Sequence, residues 1–222
     1  MSGLVRLDTM RTKAIKRADV AGASARHTTS ECNGYVQAAW DELHEFVAGT
    51  SEDYFSTLLS FNTVSGVSTY PLPSDYDWLR NVQVLYNGWK TPLDRVEIAD
   101  LGDWFNAAQV TQQPAGYVIL GDNMQIVPTP TTVMTVEVLY VPLPTTLVND
   151  SDTIACHSGW EEFIVWRAAS TIQAIDGRDN TGAFGEAERQ KKRILEAAHR
   201  RNLHQPRSVI RRYKRVRRQG WW

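Results

Sequence analysis

The chain has 222 residues, 42% of them hydrophobic, with eight Trp, enough for a folded core in one large or two small domains and too apolar for global disorder. Its net charge of −1 hides a division: residues 1–28 carry +4, residues 29–188 carry −17 and residues 189–222 carry +12. No apolar run approaches a membrane span, "MSGLVRLDTMRTKAIKR" lacks the apolar stretch of a secretory signal, and Cys32 and Cys156 supply neither a disulfide framework nor a metal spacing, so an intracellular folding environment is expected.

"VRLDTMRTKAIKRADVAG" is a weak helix pattern through Leu7, Met10, Ile15 and Val20. A stronger helix opens at Thr28 and Glu31, which stand at capping-box spacing, and continues through Val36, Ala39, Trp40, Leu43 and Val47 to an expected stop at Gly49. After residue 50 the pattern becomes that of strands. "YFSTLLSF" reads as one, and "STYPLP" is extended because its prolines hold their neighbours out of the helical region. "NVQVLYNG" alternates into an Asn87-Gly88 hairpin turn, with "WKTPLDRVE" as the return. "IADLGDWFNAA" predicts a short helix, "GYVILGDNMQIVPTP" two strands around Gly121-Asp122-Asn123, and "VMTVEVLYVP" an alternating strand.

Helical spacing returns at "SGWEEFIVWRAASTIQAIDG", where Ser158 and Glu161 repeat the capping-box spacing and Gly177 ends the run. Trp160, Phe163, Ile164, Trp166, Ala168, Ile172 and Ile175 cover most of its faces, so this helix is expected to be central. A basic helix follows, with Phe184, Ala187, Ile194, Leu195 and Ala198 as its stripe, and Pro206 ends it. The expected fold is α+β. N- and C-terminal helices (residues 1–50 and 153–204) form one bundle, a small antiparallel β-unit (51–152) is inserted between them, and residues 205–222 form an extended basic arm.

Catalytic patterns are few. There is no phosphate loop and no G-x-S-x-G. Cys156 stands beside His157, but neighbours on a chain usually point apart, and a structural reading is preferred. His27, His44, His199 and His204 lack metal-ligand partners, and the pairs Glu52-Asp53 and Asp75/Asp77 read as surface or turn residues. No catalytic, cofactor or metal residue is assigned, and no enzyme activity is expected. Trp40, Trp160 and Trp166 read as core. Trp78, Trp89 and Trp104 lie in or beside turns; core packing is expected for at least two of the three and an interface role for the remainder.

The closing stretch "RRYKRVRRQGWW" carries six basic residues and no acid. Three readings are open: an arm that docks a partner protein, with Arg and Lys on an acidic face and Trp221-Trp222 filling a crevice; an arm that contacts DNA; or an arm on a membrane surface. The acidic body counts against DNA, and the lack of an amphipathic period against a membrane. The partner-binding candidates are Arg207, Arg211, Arg212, Tyr213, Lys214, Arg215, Arg217, Arg218, Trp221 and Trp222.

From Tyr70 to Asp179 the order of features resembles a known family. "YPLPSDYDWLRNVQVLYNG", "PAGYVILGDNMQIVPTP", "VEVLYVPLPTTL" and the helix "WEEFIVWRAAS" are similar in order and spacing to segments of the head-to-tail adaptors of tailed bacteriophages, especially the connector-ring type of short-tailed phages. Leu139 stands where that pattern has an aromatic residue. The resemblance implies a structural virion protein at the head–tail interface, made in the host cytoplasm. It implies a ring homo-oligomer, usually of twelve copies, that sits beneath the portal protein, extends the channel for genomic DNA and receives the tail nozzle or tail proteins, with no cofactor. A nucleic-acid-binding protein that uses the basic arm is the alternative.

Overall fold

The computed structural model describes residues 2–19, 26–50, 54–102, 104 and 114–204. Strand β1 (Ser2–Arg6) leads directly into helix α1 (Leu7–Arg17). Helix α2 (Thr29–Thr50) begins with the expected reciprocal cap. Thr28 N–H donates to Glu31 Oε2 at 2.7 Å, and Glu31 N–H donates to Thr28 Oγ1 at 3.2 Å, so two N-terminal donors are satisfied by one pair of side chains. Gly49 does not stop α2. It stays helical, and the Thr50 hydroxyl donates back to the Phe46 carbonyl at 2.8 Å.

Eight strands follow: β2 (Thr57–Asn62), β3 (Thr69–Pro71), β4 (Tyr76–Tyr86), β5 (Trp89–Pro92), β6 (Asp94–Arg95), β7 (Gly116–Leu120), β8 (Asn123–Val127) and β9 (Thr135–Pro142). They form two four-stranded sheets, ordered β2-β9-β4-β5 and β3-β8-β7-β6. All neighbours are antiparallel except β6 and β7, which run parallel over two residue pairs. The β4–β5 hairpin turns where Asn87 and Gly88 take φ of 49° and 80°. A two-residue turn with both φ positive matches the strand twist, and Asn-Gly tolerates it best. The expected helix at "IADLGDWFNAA" starts as a 3₁₀ turn, Ile98–Asp100; its end lies outside the described residues. The two sheets share one buried cluster, with Val82, Val84, Val136, Val138 and Tyr140 from the first and Tyr70, Tyr117, Met124 and Ile126 from the second.

Strand β10 (Thr153–His157) pairs with β1, Leu4 opposite Ala155, a pairing that neither segment's pattern announces. Helix α3 (Glu161–Ile175) starts without a side-chain cap. Glu161 Oε2 instead accepts from the Gly159 N–H at 2.6 Å, so the expected Ser158–Glu161 box is not made. Gly177, at φ 68°, follows the last turn, where a left-handed residue ends a helix at little cost. Helix α4 (Thr181–His204) closes the described chain. Of its expected stripe, Ala187, Ile194 and Ala198 are buried, but Phe184 is 42% exposed and takes the Arg167 guanidinium over its ring at 5.6 Å.

The four helices share a second cluster with Leu7, Met10, Leu43, Val47, Phe163, Ile164, Ile172 and Ile194, closed from one side by Ile154 and Cys156 of β10. Helix α3 is the central element, buried through Phe163, Ile164, Val165, Ala168, Ala169 and Ile172, while Ile175 at its end is exposed. Glu42 of α2 ties α3 and α4 from the rim: Arg167 Nε donates to it at 2.7 Å and Lys191 Nζ at 3.2 Å. Burial pushes the Glu42 carboxyl up, but the hydrogen bonds and charges of Arg167 and Lys191 outweigh it and hold the group below its ordinary 4.5. A carboxyl so depressed contributes stability above its unfolded value, and the contribution fades as pH falls through the lower folded value. All three side chains are partly solvated, so Glu42→Gln should cost only about 1 kcal/mol at pH 7. Denaturant midpoints should show the gap between variant and parent closing below about pH 4; a gap that is unchanged there would show that the cost is not the ion pair.

Candidate assembly surfaces

The helices and the sheets meet at one end of the first sheet. The Arg80 guanidinium, on the first half of β4, donates to the Ala48 carbonyl near the end of α2. Tyr54 and Phe55, just before β2, pack on the helical cluster, and Leu147 N–H donates to Gln37 Oε1 of α2 at 2.7 Å. Strands β4 and β9 therefore leave the helices at Arg80 and Val141 and end away from them, at the Asn87-Gly88 turn and at Thr135.

Charge is distributed along that axis. Residues 54–152 hold ten acids against three basic residues, and Asp77, Asp94, Glu97, Asp100 and Asp122 are exposed. Helix α4 turns the other way: Arg189, Lys192, Arg193 and Arg200 are all exposed. The basic C-terminal charge thus begins on helix α4. Arg207 and the other nine partner-binding candidates, through Trp222, lie outside the described residues.

The groups that resembled chemistry have structural roles. Alternation in β10 puts Cys156 and His157 on opposite faces. Cys156 is fully buried, and burial, with the Glu161 charge adding to it, pushes its thiol up to about 11, so it carries almost no thiolate at neutral pH. His157 packs between Tyr54 and Trp160, with ring centroids at 5.2 and 5.1 Å. His44 stacks on Phe55 at 4.3 Å, and burial lowers its pKa. His27 Nε2 lies 3.2 Å from Asp176 Oδ1, joining the start of α2 to the end of α3. Tyr140 donates its hydroxyl to Asp75 at 3.2 Å, a turn role for that carboxylate. Glu52 and Asp53 lie outside the described residues. Among the described residues no group of three His, Cys, Asp or Glu is placed to hold a metal, and no helix is long and apolar enough to cross a membrane. A groove of about 510 Å³ beside β6 and β7 is lined by Arg95–Ala99, Val118 and Ile119, a set without a nucleophile.

The turn tryptophans depart from expectation. Trp104 is half-buried, its ring 3.1 Å from where a Cβ on Gly116 would sit. Trp78 and Trp89 both face outward, Trp78 beneath the Arg80 guanidinium at 5.2 Å. Core packing therefore fails for at least two of the three. Sequence reasoning also passed over Val64, Val67 and Val133, exposed apolar residues in the charge-free loops "TVSGVS" and "PTPTTVM".

An α+β chain with charge separated along its length and exposed apolar loops on its strands is built as a structural assembly protein would be. The sequence profile of the SU10 adaptor protein family matches residues 6–213, nearly the whole chain. The chain belongs to that family, and is a phage structural adaptor and a component of the virion. The match extends well beyond the Tyr70–Asp179 resemblance, taking in α1, α2, α4 and the sequence as far as Tyr213. No curated protein matches the chain. The family is a structural class rather than an enzyme class, and an adaptor's place in the virion implies interaction with portal and tail proteins.

Proposed function

We propose that the protein is a head-to-tail adaptor that assembles as a ring beneath the portal, extends the DNA channel and offers its far face to the tail proteins. In this reading residues 1–50 and 153–204 form a bundle on the portal side, residues 51–152 form the tail-side β-unit, and residues 205–222 are the portal-binding arm. The observation that carries it is the polarity of the molecule. An acidic β-unit stands off one end of the helices on strands β4 and β9, and the exposed basic face of α4 is followed by a still more basic C-terminal sequence.

That polarity suits a ring. A heterologous contact repeated around an axis closes without a special end, and basic ends from one copy meet acidic surface on the next. An acidic wall also favours passage of DNA over its retention, since like charge raises the cost of a static phosphate contact. The second reading, nucleic-acid binding through the arm, draws on the six basic residues of Arg211–Trp222 and predicts steeply salt-dependent affinity for duplex DNA.

The test is direct. Purified protein mixed with portal rings and imaged by negative stain should give a ring with a second tier. Single-tier portal rings, together with tight duplex binding at physiological salt, would transfer the assignment to the second reading.

A further inference from the structure

The end of the first sheet away from the helices is built to present apolar side chains. Asn62, Thr135 and Leu85 stand in one row across β2, β9 and β4, and from that row leave the 63–68 loop, the 128–134 loop and the Asn87-Gly88 turn. The two longer loops are stitched together. Thr63 N–H donates to the Met134 carbonyl at 2.8 Å, the Ser65 hydroxyl to the Thr131 carbonyl at 2.8 Å, and Gly66 N–H to the Pro130 carbonyl at 2.8 Å. The Tyr70 hydroxyl accepts from Val64 N–H at 2.9 Å and donates to the Val67 carbonyl at 2.8 Å. On this fixed backbone Trp89 is 79% exposed, Val133 67%, Val64 57% and Val67 41%.

None of the four belongs to either buried cluster. Their setting is also electrically silent. Residues 63–68, 86–89 and 128–134 contain no charged residue, and the adjacent Lys90 is neutralised by Glu137 at 2.6 Å. In a body of charge −17 this is a neutral, apolar end rimmed by Ser and Thr.

We propose that this end is the docking surface for an uncharged protein face on the tail side, with Trp89 as the anchor that enters an apolar pocket. This rests on the adaptor reading above and adds the residues and the chemistry of the partner. Charge complementarity selects the occupant: DNA and basic partners gain nothing from a neutral surface, and the acidic body of a second copy has no counterpart here. Area counts against tip-to-tip pairing. A Trp offers on the order of 150–250 Å², and the four side chains on the order of 300–600 Å² per copy, so two tips would bury roughly 600–1,200 Å² together, at or below the lower bound of roughly 1,200 Å² for a stable pair. A contact this small holds when many copies engage together, as in a ring.

The experiment places p-benzoyl-phenylalanine at position 89 of the full chain, irradiates purified virions and identifies the cross-linked peptide by mass spectrometry. A tail-protein peptide is the expected product. A second copy of this chain, portal, DNA or no product overturns the inference while leaving the adaptor reading in place, whereas absence of the chain from the virion overturns both. In parallel, Trp89→Ala should leave the unfolding midpoint and the adaptor content of heads unchanged and cut tail attachment roughly thirtyfold or more, as removal of a hot-spot aromatic does. Trp89→Phe should recover part of that loss, and attachment should be nearly independent of salt. Unchanged tail attachment by Trp89→Ala, or loss that tracks ionic strength, overturns it.

Discussion

Removal of residues 206–222 should abolish co-sedimentation with portal rings while the thermal unfolding midpoint stays within about 2 °C of the full chain. The residues of α4 in the buried helical cluster, Ala187 and Ile194, lie well before the cut, so the deletion leaves that cluster whole. What it removes is seven basic residues with no acid among them, followed by two Trp. In the proposed portal-binding reading the Arg and Lys act at long range and bring the arm to an acidic face. The Trp pair acts at contact, where each indole can bury on the order of 150–250 Å² at about 25 cal/mol per Å². That gain offsets a cost of about 1–2 kcal/mol for each backbone residue ordered on docking. Trp221→Ala with Trp222→Ala should therefore weaken attachment more than neutralising two of the arginines. Normal co-sedimentation of the truncated chain would remove the arm from portal binding altogether, and equal losses from the two kinds of substitution would make it a purely electrostatic tether.

Phe163→Ala should lower the unfolding midpoint by roughly 6–20 °C. Phe163 is fully buried on α3, and its ring meets Phe46 of α2 edge-on at 5.1 Å. Truncation of a buried Phe costs roughly 3–5 kcal/mol, because the lost transfer energy is compounded by a cavity that close-packed neighbours cannot fill. In a chain of this size each kcal/mol moves the midpoint by roughly 2–4 °C. Phe184→Ala is the internal control: the same deletion on an exposed ring of α4 should move the midpoint by no more than about 2 °C. Scanning calorimetry on both variants checks the pair, and similar shifts would show that α3 is not the centre of the helical cluster. Hydrogen exchange in Phe163→Ala should rise first in the helices and less in β4 and β9, whose buried residues belong to the other cluster. A uniform rise would argue against the proposed division at residues 51–152.

The local features legible in the sequence are those whose physics closes within a few residues. The Thr28–Glu31 cap, the α2 stripe from Val36 to Val47, the Asn87-Gly88 turn and the alternation of Val136, Val138 and Tyr140 each rest on spacing alone. The same rules misled where a remote or competing partner intervened. Glu161 stands at capping-box spacing from Ser158, yet its carboxylate takes the Gly159 N–H instead. Phe184 falls on the apolar period of α4 but lies at the edge of the stripe, where Arg167 covers it.

The amino-acid sequence by itself determined the α+β class, the split of charge between an acidic body and a basic C-terminus, and the family resemblance, because composition, period and motif order are properties of the chain. Only the tertiary structure decided the rest. Strand β1 finds β10 some 150 residues away, and no local pattern can specify a partner at that distance. The division of eight strands into two sheets, with β9 between β2 and β4, depends on which apolar faces meet. The outward turn of Trp89, at the same end of the first sheet as Val64 and Val133, depends on where that sheet ends relative to the helices. A side chain is core or contact surface according to what packs over it, and that is settled by the assembled fold.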